Sequence, residues 1–182
     1  MIQNTSRSFG IVAKCFHWGM AILILIQFSI AYVMTGLDPN PLKWTLFDLH
    51  KAIGLTIFIL VGLRLGWRLI NPVPEMPKFS PRWQVMISHL TFGALYLLMF
   101  LMPLSGLGLS LLNGSSVSYF GLFTISKIYS NPTVYGTFFD QMHILLSYVF
   151  IVCIGLHICA ALYHYFILKD SVLHRMLIEL KQ

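Results

Sequence analysis

The residues best able to do chemistry in this sequence are its seven histidines, six of which lie in or at the ends of long apolar stretches. An imidazole binds metal ions in its neutral form and exchanges protons near neutral pH. Ionisable side chains are costly inside a membrane, so their presence there indicates function by default. A single such histidine is more often a packing residue, and the spacing of the set is therefore the informative feature. The six are His17, His50, His89, His143, His157 and His164.

The spacing sorts four of these histidines into two pairs. His143 and His157 are 14 residues apart, which places them about 40° apart around one helix and about 21 Å apart along it. His50 and His143 each open an apolar stretch that enters from one side of the membrane, whereas His17 and His157 lie toward the other side. We therefore predict an outer pair, His50 with His143, and an inner pair, His17 with His157.

Each predicted pair suits one haem iron. Zinc or copper sites favour three or four close ligands, often with cysteine or carboxylate, whereas here the depth separation isolates pairs and the carboxylates lie at the rims. None of the three cysteines lies in a C-x-x-C-H pattern, so the haems would be non-covalent and of b-type. Two axial histidines leave no open position on the iron, and such haems transfer electrons. The residues thus predict two bis-histidine b-type haems.

Two arginines follow His50 on the same predicted helix. Arg64 and Arg68 come 14 and 18 residues after it, which places them about 40° and about 0° from its face. A guanidinium group pairs well with carboxylates, so both are candidates for binding the propionates of the inner haem. The alternative is that both are membrane anchors whose charged heads reach the inner boundary. Lys51 is a similar but weaker candidate at the outer haem.

His164 follows His157 by seven residues on the same stripe, about 10 Å closer to the inner surface. It is too shallow to share a metal with His17 if His157 does. The sequence leaves four roles for it: a contact with a haem propionate, a step in a proton path, a quinone contact, or a structural hydrogen bond. His89 has no evident partner and His174 lies in a polar tail, so neither is expected to bind a haem.

The elements that carry these residues are four predicted membrane helices. Of 182 residues, 57% are hydrophobic and only 10% are charged, a composition that excludes a soluble globular protein. Each apolar stretch is long enough for the roughly 20 residues that a bilayer requires. We predict an all-α integral membrane four-helix bundle that forms a single domain over residues 1–182, with the N-terminal stretch retained as a helix. The polar connection 113–137 leaves room for a short interfacial helix at 119–123. The predicted spans are about 15–35, 49–70, 84–112 and 138–167.

The distribution of basic residues predicts the orientation of the bundle. Nine of the twelve lysines and arginines fall on the side of both termini and three on the other side, which makes both termini cytoplasmic. Three acidic residues cancel the outer lysines, so the inner side carries the whole net charge of +6. Basic inner loops facing anionic membrane lipid explain this charge, and we expect no nucleic-acid partner. The nine are Arg7, Lys14, Arg64, Arg68, Lys78, Arg82, Lys169, Arg175 and Lys181.

Several short motifs occur together in this chain. They are Phe16-His17-Trp18, Leu49-His50-Lys51-Ala52-Ile53-Gly54, Arg64-Leu65-Gly66-Trp67-Arg68, and Ala160 to Phe166 followed by Lys169-Asp170. With this combination the chain resembles the bacterial cytochrome b561 family along nearly its whole length. The resemblance implies an inner-membrane four-helix diheme cytochrome, in which His17 and His157 bind the inner haem and His50 and His143 the outer one.

The resemblance also implies what the protein acts on. It places His164 near an inner-side ubiquinone site, makes Lys78 a candidate basic residue there, and implies a quinone-linked oxidoreductase. The family includes members that oxidise superoxide on the outer side and pass the electron to ubiquinone, so superoxide is a candidate donor. The outer face is formally neutral, which gives an anionic donor no net electrostatic steering.

Two alternatives stay open at this point. One is a cytochrome b subunit that passes electrons between a partner dehydrogenase or hydrogenase and quinone. The other is a haem-free four-helix membrane protein with a role in assembly or transport. The visible spectrum of the purified protein separates the second from the others, and co-purification would reveal a donor protein.

Overall fold

The computed structural model describes residues 1–6, 8–75 and 81–177. Its main elements are four helices, each long and apolar enough to cross a membrane. Apolar side chains cover most of their outer surface, as expected where the surrounding solvent is lipid. The prediction of a membrane four-helix bundle is therefore confirmed. The helices are α1 (Ile11–Gly36), α2 (Pro41–Ile70), α3 (Arg82–Leu112) and α4 (Val134–Tyr163).

All four helices begin before the apolar stretches from which they were predicted, and in α2 and α4 a side-chain cap fixes the start. The side chain of Asn40 caps α2 at Pro41 by accepting a backbone hydrogen bond at 2.9 Å, and Thr133 caps α4 in the same way at 3.0 Å. Hydropathy detects only the part of a helix inside lipid, whereas capping residues start it in the polar zone. Helices α2 and α4 therefore begin eight and four residues early, so the prediction that His50 and His143 open them is wrong.

The connection between α3 and α4 contains a small antiparallel hairpin, so the short interfacial helix for which 119–123 left room does not form. Its strands, β1 (Val117–Tyr119) and β2 (Phe123–Ile125), are joined by a turn in which Phe120 and Gly121 have φ of 48° and 77°. Positive φ at both central residues is typical of a type I′ turn. Phenylalanine is seldom found in this conformation, which explains why the sequence did not indicate the turn.

The buried core lies between the levels of the two histidine pairs. Neighbouring helices in the chain pack on each other, and Phe28 of α1 meets Phe150 of α4 with ring centroids 5.9 Å apart. Phe150 is seven residues from both His143 and His157, so an apolar layer separates the two levels. The core contains residues of all four helices: Met20, Ile24, Ile53, Ile57, Val61, Leu98, Met99 and Phe150.

Both ends of the described chain meet at one end of the bundle. Lys14 Nζ donates to the carbonyl of Leu177 at 2.6 Å, and Trp18 Nε1 donates to the carbonyl of Met176 at 2.9 Å. The N-terminal segment also hydrogen-bonds to the connection between α2 and α3. The C-terminal segment is therefore held against the start of α1, next to the predicted inner pair.

Candidate functional site

The inner histidine pair lies at the terminal end of the bundle. His17 of α1 and His157 of α4 face each other with ring centroids 6.2 Å apart and ring planes at 69°. The Trp18 ring is edge-on to the His17 ring, with centroids 5.1 Å apart. The ring of Phe92, on α3, is edge-on to that of His157, with centroids 6.2 Å apart. The structure thus brings the two predicted residues together between aromatic side chains.

The outer pair has the same separation. His50 of α2 and His143 of α4 have ring centroids 6.2 Å apart and planes at 81°. His143 Nδ1 lies 3.1 Å from the carbonyl oxygen of Met102 and 2.9 Å from Ser105 Oγ. A proton on Nδ1 that is donated to the carbonyl leaves Nε2 with its lone pair free. Gly106 makes room for this ring, because a Cβ there would lie 3.0 Å from it.

The hydrogen bond that fixes His50 is made by its backbone carbonyl and not by its imidazole ring. Gln27 of α1 donates from Nε2 to the carbonyl oxygen of His50 at 2.8 Å, and Gly54 leaves room for this amide. The Nδ1 atom of His50 is buried and has no hydrogen-bond partner within the described ranges. A buried polar atom without a partner costs free energy, and coordination of a metal through this same nitrogen would offset that cost.

Both pairs fit a bis-histidine haem. A metal–imidazole bond is about 2.0–2.1 Å long and each ring centroid lies about 1.2 Å behind its nitrogen, so ligands on opposite faces have centroids about 6.4 Å apart. The observed separations of 6.2 Å match this value. In residues 1–6, 8–75 and 81–177, no group of three histidine, cysteine or carboxylate side chains could hold a metal. The donor sets therefore favour haem over zinc or copper.

Two arginines of α2 stand beside the inner pair. Arg64 Nη2 donates to His17 Nδ1 at 3.2 Å. The guanidinium carbons of Arg64 and Arg68 lie 5.5 and 5.6 Å from the ring centroid of Tyr96, and that of Arg68 lies 5.8 Å from the ring of Phe92. These cation–π contacts hold both cations on the side of the bundle that carries the inner pair.

The two guanidinium groups of Arg64 and Arg68 would be stabilised by a nearby anion. Among the described residues neither is paired with a carboxylate, and an unpaired cation within a membrane helix is costly. Arginine can only donate hydrogen bonds, so His17 Nδ1 accepts from Arg64 and its lone pair is occupied. With Nδ1 accepting, the ring proton lies on Nε2, so metal binding through either nitrogen requires Arg64 to turn to another acceptor. A haem propionate has the charge and geometry to be that acceptor.

His164 does not join the inner pair. It starts a π-helix, His164–Leu168, that continues α4 and ends at Lys169, whose φ is 52°. The chain then folds back, so that His164 Nδ1 lies 2.6 Å from Asp170 Oδ2. Sequence reasoning missed this partner, because residues six apart in an α-helix lie about 120° apart around the axis. Asp170 belongs to the C-terminal motif that carries the family resemblance, but no role was predicted for it.

The remaining candidates are peripheral or lie outside the described residues. Lys51 Nζ donates to Ser115 Oγ at 2.8 Å and so ties the start of the hairpin connection to α2. His89 is exposed on α3, and the ring of His174 lies beside that of Tyr165 at 5.2 Å. Lys78 falls outside the described residues.

A membrane bundle of four helices with facing histidines at two depths has the architecture of a membrane b-type cytochrome. The chain matches the family model described as prokaryotic cytochrome b561 over residues 8–178 and belongs to this family. It is therefore a multi-pass protein of the bacterial inner membrane that binds b-type haem and takes part in electron transport.

Three relatives with assigned names are similar to this chain over most of its length. The chain is 33% identical to cytochrome b561 homolog 2 of Escherichia coli K12, over 96% of this chain and 93% of that protein. It is 32% identical to the probable superoxide oxidase CybB of Yersinia pestis, over 88% of this chain and 90% of that protein. It is 26% identical to cytochrome b562 of Cereibacter sphaeroides, over 88% and 89% of the two chains. Each similarity spans most of both proteins.

Proposed function

We propose that this protein is a transmembrane diheme cytochrome that transfers electrons between a donor at its outer side and ubiquinone near an inner haem. The observation that carries the proposal is the pair of facing histidines at each of two levels, both with centroids 6.2 Å apart. The levels are about 21 Å apart along α4. His17 and His157 would bind the inner iron, and His50 and His143 the outer iron.

A bound haem would supply a one-electron redox centre, and an iron held by two histidines would transfer electrons without binding a substrate. The protein's part is to hold the imidazoles in place. The Met102 carbonyl and Ser105 hydroxyl orient the His143 ring through Nδ1, an arrangement that also raises the basicity of a ligating imidazole. At the inner level, Arg64 and Arg68 would bind the propionates.

The quinone contact is proposed for His164. This residue lies at the terminal end of α4, seven residues beyond His157, where an amphipathic quinone ring can reach both the haem and water. Quinone reduction requires protons as well as electrons, and an imidazole can hydrogen-bond a quinone carbonyl and transfer a proton to it. Lys78 remains a candidate basic residue for the same site.

Superoxide is the donor favoured by the relatives, because one of them is named a probable superoxide oxidase. The purified protein should then be reduced by enzymatically generated superoxide, and superoxide dismutase should abolish the reduction. Reduction that is unaffected by the dismutase, or that needs a co-purifying dehydrogenase or hydrogenase, would favour the subunit alternative. Family membership favours both over the haem-free alternative.

The central experiment counts haems and follows their oxidation. Pyridine haemochrome analysis should give two haems per chain, redox titration should resolve two components, and a ubiquinone analogue should reoxidise the reduced protein. One haem per chain would contradict the diheme proposal. Two haems that a quinone analogue does not reoxidise would contradict the quinone link alone.

A further inference from the structure

An ion pair lies at the inner end of α4, outside both histidine pairs. His164 Nδ1 and Asp170 Oδ2 are 2.6 Å apart, and the two side chains are only 14% and 22% exposed. The other ion pair of the described residues, Lys51 with Asp48, is 3.4 Å long and its aspartate is 66% exposed. A short, shielded contact of this kind is a strong charge-assisted hydrogen bond.

The backbone builds this contact by an irregular end to the helix. Single π-helical turns are frequently found at functional sites, and here the turn begins at His164. The N–H groups of Lys169 and Asp170 both donate to the His164 carbonyl, which reverses the chain. Asp170 Oδ1 accepts from the N–H of Val172 at 2.9 Å. Each carboxylate oxygen therefore has its own partner, and the carboxylate is fixed against rotation.

Two basic residues at the terminal end of the bundle have other partners. Lys14 of α1 donates to a backbone carbonyl of the C-terminal segment, and Arg175 donates to a serine hydroxyl and to the carbonyl of Glu75. Lys169, next to Asp170, is exposed. Within the described ranges, His164 is thus the group that pairs with the Asp170 carboxylate.

This arrangement determines which imidazole nitrogen is available for chemistry. A proton on Nδ1 is held by the carboxylate, so Nε2 is the nitrogen that can meet a substrate. In the charged ring Nε2–H donates to an acceptor such as a quinone carbonyl. After Nε2 has released its proton, the ring is neutral with its proton on Nδ1, and Nε2 can accept a new proton from water.

We propose that Asp170 is a positioning residue for quinone reduction: it fixes the His164 tautomer so that Nε2 delivers a proton to the quinone. The proposal rests on the proposed quinone contact of His164. Conversion of quinone to quinol takes two electrons, which arrive through the haems, and two protons. His164 supplies one proton from Nε2 and regains it from water at the inner surface, and water supplies the other.

The test is the Asp170→Asn variant, which keeps the side-chain size and the oxygen that caps Val172. Its amide would donate to His164 Nδ1, so the neutral ring carries its proton on Nε2 and cannot release it without becoming an anion. Both haems should remain. Stopped-flow reoxidation by a water-soluble ubiquinone analogue should lose about tenfold or more in maximal rate, with the half-saturating quinone concentration nearly unchanged.

Three further variants serve as references. Asp170→Glu restores a carboxylate and should be faster than Asp170→Asn. His164→Ala should slow reoxidation at least as much as Asp170→Asn while both haems remain. Asp48→Asn removes the exposed ion pair at the outer end and should react like the wild type.

A second readout does not depend on activity. In protein with ¹⁵N-labelled histidine, NMR should find the neutral His164 ring protonated on Nδ1 in the wild type and on Nε2 in Asp170→Asn, with His164→Ala providing the assignment. A wild-type ring protonated on Nε2 would overturn the proposal even if the asparagine variant failed to bind haem. A slower Asp170→Asn whose tautomer is unchanged would overturn it as well.

The kinetic outcomes separate this proposal from the proposed function. Full-speed reoxidation in Asp170→Asn together with slow reoxidation in His164→Ala would reject the role of Asp170 and leave the quinone contact standing. Unchanged kinetics in His164→Ala would reject the quinone contact itself, and the role of Asp170 with it.

Discussion

The outer histidine pair depends on a glycine of α3. A Cβ on Gly106 would lie 3.0 Å from Cε1 and 3.3 Å from Nδ1 of the His143 ring, whereas non-bonded carbon atoms prefer about 3.5–4.0 Å. Gly106→Ala must therefore displace the imidazole by about 0.5–1 Å. Gly93 of the same helix has nothing within 4 Å of such a Cβ, which makes Gly93→Ala the matched control.

Two contacts of the His143 ring oppose its displacement. Its Nδ1 is held at 3.1 Å by the Met102 carbonyl and at 2.9 Å by Ser105 Oγ, and overpacking of such a site costs about 1–3 kcal/mol. If His143 binds the outer iron, this cost lowers the outer haem affinity about 5- to 150-fold. The inner haem should be unaffected, because its predicted ligand His157 lies about 21 Å along the helix.

The assay is titration of haem into haem-depleted protein, followed by the reduced visible spectrum. His143→Ala and His157→Ala serve as references, since each should lack one spectral component. Gly106→Ala should bind the outer component more weakly, and Gly93→Ala should bind both components like the wild type. Wild-type affinity in Gly106→Ala, or weakening of the inner component instead, would refute the reasoning.

Three further predictions follow from the same geometry. Alanine in place of either member of one histidine pair should deplete the same spectral component, whereas His89→Ala should keep both haems; depletion across the pairs would mean that the pairing is wrong. Arg68→Ala should lower the inner midpoint potential by roughly 30–60 mV and shift the outer one less, because loss of a cation favours oxidised iron; equal shifts in a redox titration would favour the lipid-anchor alternative. Lys51→Met should speed hydrogen exchange in residues 117–125, since it removes the hydrogen bond to Ser115; unchanged exchange would show that this contact does not hold the hairpin.

The helices and the sorting of the histidines were predictable because both follow from local periodicity. The width of a bilayer sets the length of an apolar stretch, and the alternation of direction between helices sets which residues share a depth. The starts of α2 and α4 were missed for a local reason too, since Asn40 and Thr133 are good N-cap residues that lie outside the apolar stretches. Hydropathy alone does not detect them.

The supporting contacts of the candidate site were not predictable in this way. Across the interface between α3 and α4, Ser105 hydrogen-bonds to the His143 ring and Gly106 leaves space for it. A sequence pattern within one helix carries no information about such a partner. The contact of His164 with Asp170 depends on a π-helical turn and on Lys169 at positive φ. Neither feature follows from a residue preference, because lysine is uncommon in that conformation.

On both α2 and α4, the same number of residues separates the group at the outer histidine pair from the group at the inner pair. On α4, 14 residues separate His143 from His157, and on α2 the same number separates His50 from Arg64. Fourteen residues make about 3.9 turns, so each helix presents its outer and inner groups on nearly the same side of the bundle. The apolar core, with Phe150 midway along α4, fills the layer between the levels. The separation of the two sites is therefore a property of the helical backbone, whereas their affinity depends on the side chains packed around each ring.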